Sequence, residues 1–448
     1  MSSKYILQRS LKADLPVAVK GDGIYLIDEN GKRYLDGSSG AAVSCLGHSN
    51  QNIKDAIIKQ LDALPYAHTS FMTSKPAEEL AQMLISRAPD NFDKVYFLTG
   101  GSEAVETALK LVRQYHLENK EPQRKNIIAR LQSYHGNTLA TLATGGNIKR
   151  KEAFLPYLPT CMHHIDPVYA YRLKKDNESL SEYGLRAANL LEEKILELGA
   201  HTVSAFIFEP LVGSTLGAVE APLSYYKRVR EICDKYGVLL VFDEIMCGTG
   251  RTGYLFASEY THVKPDLITI AKGIGAGYQP LAACLISKKI CKAIEEGSGD
   301  FSHGHTYIAH ATACAAGIAV LKEFENENLL ENVQKMGHYL KSTLEKRFFN
   351  HKHVGDIRGR GLFIGLELVK NRKTKECFDP KHKLFAHIKS TAKNLGLLCY
   401  PMGGTNFGKE GDHILLAPPF IINKEQVLEL VDILEKAINQ SLEEKGLV

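Results

Sequence analysis

The chain has 448 residues, enough for two or three structural units, and its 44% hydrophobic and 24% charged residues are the proportions of an ordinary folded protein, which argues against disorder or a fibrous repeat. Its 55 Lys and Arg against 51 Asp and Glu leave a net charge of +4 with no long block of one sign, so nucleic-acid binding has no support. The opening MSSKYILQRSLKADLP has no apolar signal core, and no later run approaches the roughly 18 to 20 apolar residues of a membrane span; a soluble, cytoplasmic protein with no membrane partner is expected.

Residues 21 to 36, GDGIYLIDENGKRYLD, alternate apolar and polar side chains around Asp28-Glu-Asn-Gly31, the pattern of a β-hairpin. From about 54 to 330 the style changes. Strand-like runs at 95–98, 126–129, 205–208, 238–243 and 266–271 alternate with helical stretches, which predicts an α/β fold with a mostly parallel sheet flanked by helices. After 330 come a long amphipathic run, a single strand-like stretch IRGRGLFIGLEL, and a closing helix. Asn423 is placed as the N-cap of that helix with Gln426 three residues on, and Val427, Leu430, Val431, Leu434 and Ile438 share one face. Three units are expected: an N-terminal segment, 1–55, packing with a smaller C-terminal α+β unit, 331–448, and a large unit, 56–330, between them.

Nine cysteines lie singly along the chain without C-x-x-C spacing, which fits reduced thiols better than zinc or disulfides. His163-His164, His303/His305 and His351/His353 have no acidic or cysteine partner at ligand spacing, so no metal is expected.

Within VYFLTGGSEAVETALKLVRQY a strand runs into Thr99-Gly100-Gly101-Ser102 and a helix follows. Such a turn offers backbone N–H groups and the helix dipole to an anion; it equally suits a plain strand-to-helix turn capped by Ser102. Gly248-x-Gly250-x-x-Gly253, with Asp266 beyond it, imitates a dinucleotide fingerprint. The imitation is imperfect, because Asp243 to Cys247 intervene and the following GYLFASEY is too short for the required helix. Asp243 ends an apolar strand and Ile245 falls on the same side if the chain stays extended. Lys272 ends the next predicted strand 29 residues later, one βαβ unit. Anion cradle, ring-nitrogen carboxylate and strand-end amine together are what pyridoxal 5'-phosphate requires.

The ordered set Gly100-Gly101-Ser102-Glu103-Ala104, Ser133-Tyr134-His135-Gly136, Phe208-Glu209-Pro210, Asp243-Glu244-Ile245, Gly250-Arg251-Thr252-Gly253 and Ala271-Lys272-Gly273 resembles the class III aminotransferases of pyridoxal-phosphate fold type I. The likeness runs from Asp36-Gly37-Ser38 to Ala417-Pro418-Pro419 and is closest in style to ω-amino acid and amine:pyruvate transaminases. It implies Lys272 as Schiff-base lysine and proton shuttle, and Asp243 on the ring nitrogen. It implies Tyr134 and Ile245 on the two ring faces, and Gly101 and Ser102 on the phosphate. His135, Gly136 and Glu209 are implied beside the cofactor. Thr306, in HGHTYIAH, would reach the cofactor of the neighbouring subunit, so a homodimer or a tetramer is implied.

The implied reaction is a ping-pong transfer from an amine or ω-amino acid to a 2-oxo acid such as pyruvate. An aminomutase, racemase or decarboxylase of the same fold is the alternative, and a nicotinamide or flavin oxidoreductase a remoter one. Met246 stands where ornithine-type members carry glutamine, Leu415 where many carry arginine, and Gly408-Lys409-Glu410 where ω-type members carry a mobile arginine. The receiver of a substrate carboxylate is therefore open, with Lys409 as one candidate.

Overall fold

The computed structural model describes residues 5–11 and 14–447; residues 1–4, 12, 13 and 448 of the expected terminal units lie outside them. The predicted hairpin is present, with Tyr25–Asp28 and Arg33–Leu35 paired antiparallel and a further strand, Ala18–Asp22, beside them. Its turn is held by the Asp28 carboxylate, which accepts the Asn30 and Lys32 N–H groups at 2.9 and 3.0 Å and the Tyr34 hydroxyl at 2.8 Å. Leu35 exchanges backbone hydrogen bonds with Gly396 and Leu398, and the Tyr25 hydroxyl donates to Glu429, so this segment is joined to the C-terminal part of the chain.

Seven strands form the large sheet: β1 Phe92–Leu98, β2 Asn126–Arg130, β3 Met162–Ile165, β4 Val203–Phe208, β5 Leu239–Asp243, β6 Leu267–Ile270 and β7 Ala282–Ser287. Their spatial order is β1-β7-β6-β5-β4-β2-β3, and only β7 runs antiparallel to its neighbours. Strands β4, β5 and β6 are buried along their whole length, as expected of a parallel sheet covered on both faces. This matches the predicted α/β architecture. Two strands escape the sequence reading: β3, whose His163 and His164 break the apolar pattern, and β7, a short Ala-Ala-Cys-Leu-Ile-Ser run.

The C-terminal part holds a four-stranded antiparallel sheet and the predicted closing helix, Lys424–Glu444. Asn423 accepts the Gln426 N–H at 2.9 Å while Gln426 accepts the Asn423 N–H at 3.1 Å, the reciprocal cap foreseen. The five predicted apolar side chains of that helix are fully buried, each contributing roughly 1.5–3 kcal/mol. IRGRGLFIGLEL departs from expectation. It is two strands, Val354–Arg360 and Phe363–Leu368, paired antiparallel, because Gly361 turns the chain with φ +57°. No helix among the described residues is long and apolar enough to cross a membrane.

Candidate active site

A cavity of about 410 Å³ opens where the parallel strands end, and Gly101, Ser102, Tyr134, His135, Gly136, Glu209, Asp243, Ile245 and Lys272 all line it. These residues come from the ends of β1, β2, β4, β5 and β6 or the turns just beyond them. A parallel sheet delivers side chains separated by more than 170 positions to one edge because every strand ends on the same side.

At one end of the cavity the helix Gly101–Glu118 begins. Gly100 is its N-cap, not Ser102, and the Glu103 carboxylate folds back to accept the N–H groups of Thr99 and Gly100 at 3.0 and 3.2 Å. This locks the turn and leaves the helix start, with its unspent N–H groups and dipole, facing the cavity. Ser102 Oγ accepts the Asn137 N–H at 3.0 Å, which draws the segment after β2 over the helix start. Gly136 is forced at the crossing: its φ is +136°, and a Cβ there would lie 2.4 Å from Thr141 Oγ1 and 2.8 Å from Ser102 Oγ.

Asp243 ends β5 opposite Thr269 of β6. His135 Nδ1 lies 2.7 Å from Asp243 Oδ2, and both side chains are buried. A carboxylate accepts, so Nδ1 carries the proton, and Nε2 of His135 is left without a hydrogen-bond partner. The Ile245 N–H donates to Asp243 Oδ1 at 3.1 Å, which fixes the turn that brings Ile245 to the cavity. Glu209, buried, accepts the Tyr134 and Gly213 N–H groups at 3.0 and 2.9 Å. Burial pushes its carboxyl above the ordinary range, with Asp243 adding to the rise and His135 opposing it.

Lys272 follows β6 directly and adopts φ +53°. A left-handed lysine costs of order 1 kcal/mol or more and persists where its surroundings over-determine it. Here its carbonyl accepts the N–H groups of Gly275 and Ala276 at 3.1 and 3.0 Å. Gly275 cannot carry a side chain, since a Cβ would sit 2.1 Å from the Gln279 carbonyl. Burial lowers the pKa of the Lys272 amine, while the negative charges of Asp243 and Glu209 raise it.

Thr306 stands apart from this cavity on an exposed stretch, its carbonyl accepting the Tyr66 hydroxyl at 2.8 Å. The cavity also includes Val43, Met246, Gln279, Pro280 and Leu281. Their sequence neighbourhoods are turn-like, and no residue type there signals a site. Gly248 to Gly253 is no dinucleotide loop. Arg251 is fully buried against Phe420 at 4.5 Å and donates to the carbonyls of Leu362 and Pro418, so C-terminal chain covers the segment. Asp266 is spent on the Leu240 N–H and on Arg230 and Lys289, which leaves no acid for a ribose and overturns the oxidoreductase reading. Among the described residues no three metal-ligating groups converge.

The family model described as class III aminotransferase matches residues 8–438. An uncharacterized aminotransferase of Schizosaccharomyces pombe is 42% identical over 98% of this chain and 95% of its own. The vanillin aminotransferase of Capsicum chinense is 36% identical over 95% of this chain and 91% of its own. Among solved structures, the omega transaminase from Pseudomonas jessenii in complex with PMP superposes with a TM-score of 0.90 at 33% identity, covering 97% of this chain and 94% of that one.

Proposed function

The chain belongs to the class III aminotransferases and has their fold type I architecture; from that membership we propose that it binds pyridoxal 5'-phosphate in the cavity between Ser102 and Lys272 and transfers an amino group from an amine or ω-amino acid to a 2-oxo acid. The observation that carries this reading is the convergence of Lys272, Asp243 and the Gly101-Ser102 helix start on one cavity. The cavity fits the cofactor on two counts: a helix start for the phosphate and a buried carboxylate for a ring nitrogen.

When bound, pyridoxal phosphate supplies an aldehyde that takes up the donor amine and a ring that accepts the electron pair released at the donor's α-carbon. The chain's own groups do the rest. Asp243, oriented by His135 and the Ile245 N–H, would hold the proton on the ring nitrogen. Tyr134 and Ile245 would hold the ring, and the Gly101 and Ser102 N–H groups would hold the phosphate. Glu209 fixes Tyr134 from behind through its N–H. Lys272 moves the α-proton with its Nζ, and burial favours the neutral amine that this step needs.

The exposed Thr306 segment, with Tyr307 beside it at 57% exposure, supports a homodimer in which this face meets the partner's cavity. A sedimentation mass of two chains checks it. All nine cysteines are free thiols, which supports a reducing compartment such as the cytoplasm; fractionation of the source cells checks that placement. The central test is spectroscopic. Purified protein with pyridoxal phosphate should show an absorption band that an amine donor removes and a 2-oxo acid restores, and Lys272→Ala should lose turnover by roughly 10⁴-fold or more. Protein that stays colourless with added cofactor, or a Lys272→Ala variant with unaltered turnover, refutes the reading.

A further inference from the structure

No arginine lines the cavity, although a carboxylate-bearing substrate ordinarily meets a guanidinium. The position of Leu415 does not supply one: it is buried in the strand Glu410–Leu416. Just outside the lining, however, the short helix Ile148–Lys151 places the Arg150 Cζ 4.8 Å from the centre of the Tyr134 ring. The two neighbours of Arg150 are differently occupied. Lys151 Nζ donates to the Ala143 carbonyl at 2.7 Å and meets His164 at 3.2 Å, and Lys149 lies within electrostatic reach of Asp412.

Arg150 has no such outlet. Among the described residues its guanidinium makes neither a hydrogen bond nor an ion pair; its recorded contact is the tyrosine face. Stacking uses the face of the guanidinium and leaves the donors in its plane uncommitted. Burial raises the Tyr134 phenol pKa, and the Arg150 charge acts against that rise.

We propose that Arg150 is the receiver of the anionic group at the far end of the substrate, reached past the edge of Tyr134. This rests on the reading of the cavity as an aminotransferase site. Arg150 is thereby a specificity-determining residue, distinct from the groups that hold the cofactor. Arg150 touches Tyr134 but does not itself line the cavity, so the anion it would take is remote from the reacting amine. That describes an ω-amino acid or a substrate with a remote acidic arm, and not an α-amino acid alone. Lys409, the other candidate, is exposed on the turn before Glu410 and does not line the cavity.

The test compares matched donors, ω-amino acids of three to six carbons against the alkylamines of equal length, with one oxo acid as acceptor. Loss of a charge-assisted hydrogen bond predicts that Arg150→Met lowers the ratio of kcat/KM for the acid donor to that for the alkylamine about tenfold or more. Arg150→Lys should fall between wild type and Arg150→Met. A ratio unchanged in Arg150→Met, or equal losses for both donors, overturns the inference and makes Arg150 only a support for Tyr134. A wild type that prefers no acid donor at any length overturns it as well. Failure of the underlying reading looks different: neither donor then bleaches the cofactor band.

Discussion

The two ends of the cavity are built on different principles. At the cofactor end almost every polar group is spoken for: Glu103 on the turn, Asn137 on Ser102, His135 and Ile245 on Asp243, Tyr134 and Gly213 on Glu209. Elsewhere the lining is Val43, Met246, Gln279, Pro280 and Leu281, and Arg150 lies uncommitted over the Tyr134 ring. A hydrogen-bonded network fixes one geometry and tolerates little change, while side chains without polar partners can be re-cut more freely. On the proposed reading the first region serves the chemistry and the second the choice of substrate.

The contrast is broken most severely at Asp243. Asp243→Asn keeps the size but removes the charge that faces the ring nitrogen, and should slow the half-reaction roughly 10²–10³-fold with a much smaller change in donor preference. Stopped-flow spectra with one neutral and one acidic donor measure both. Gly136→Ala sharpens the comparison at an intermediate level. The added Cβ meets Thr141 and Ser102 in a backbone conformation that disfavours it, so the fold should lose about 1–3 kcal/mol. The rise in Tm on adding pyridoxal phosphate should shrink too.

A further effect is expected away from the cavity lining. His413 is fully buried, with Nε2 at 3.0 Å from the Ser214 carbonyl and Nδ1 at 2.6 Å from Thr405 Oγ1, the contacts of a neutral ring that donates once and accepts once. Burial, with Arg358 adding to it, depresses its pKa from 6.5 to about 3. The unfolded chain therefore takes up a proton first. The stability that depends on the neutral ring is complete above pH 6.5 and drains as pH falls toward 3, by at most about 1.4 kcal/mol per unit. His413→Gln should be less stable near neutrality but show a flatter decline over that window, measured by denaturant titration at stepped pH.

Much of this was legible before any coordinates. Strands β4, β5 and β6 announce themselves because a strand covered on both faces must be apolar throughout, and the residues just past their ends inherit the shared edge. That is why Asp243 and Lys272 were readable as partners from spacing alone. The reciprocal Asn423–Gln426 cap was readable because it needs only four consecutive residues. What stayed hidden was short, mixed or answered by distant chain. Strand β3 carries two histidines, β7 follows a turn and runs antiparallel, and the glycines from 248 to 253 look like a nucleotide loop until Phe420 and Pro418 close over Arg251.

Sequence by itself thus determined the fold class, the family and the residues that meet at one cavity, because those depend on local periodicity and on residues in fixed order along the chain. The tertiary structure alone decided which groups are spent and which are free. His135 and Asp243, 108 positions apart, become one hydrogen-bonded unit, and Asp266 is consumed by Arg230 and Lys289. Arg150 comes to rest on Tyr134 with its donors unused. The physical reason is that a side chain's chemistry is set by its partners and its burial, and both are supplied by parts of the chain that sequence proximity does not indicate.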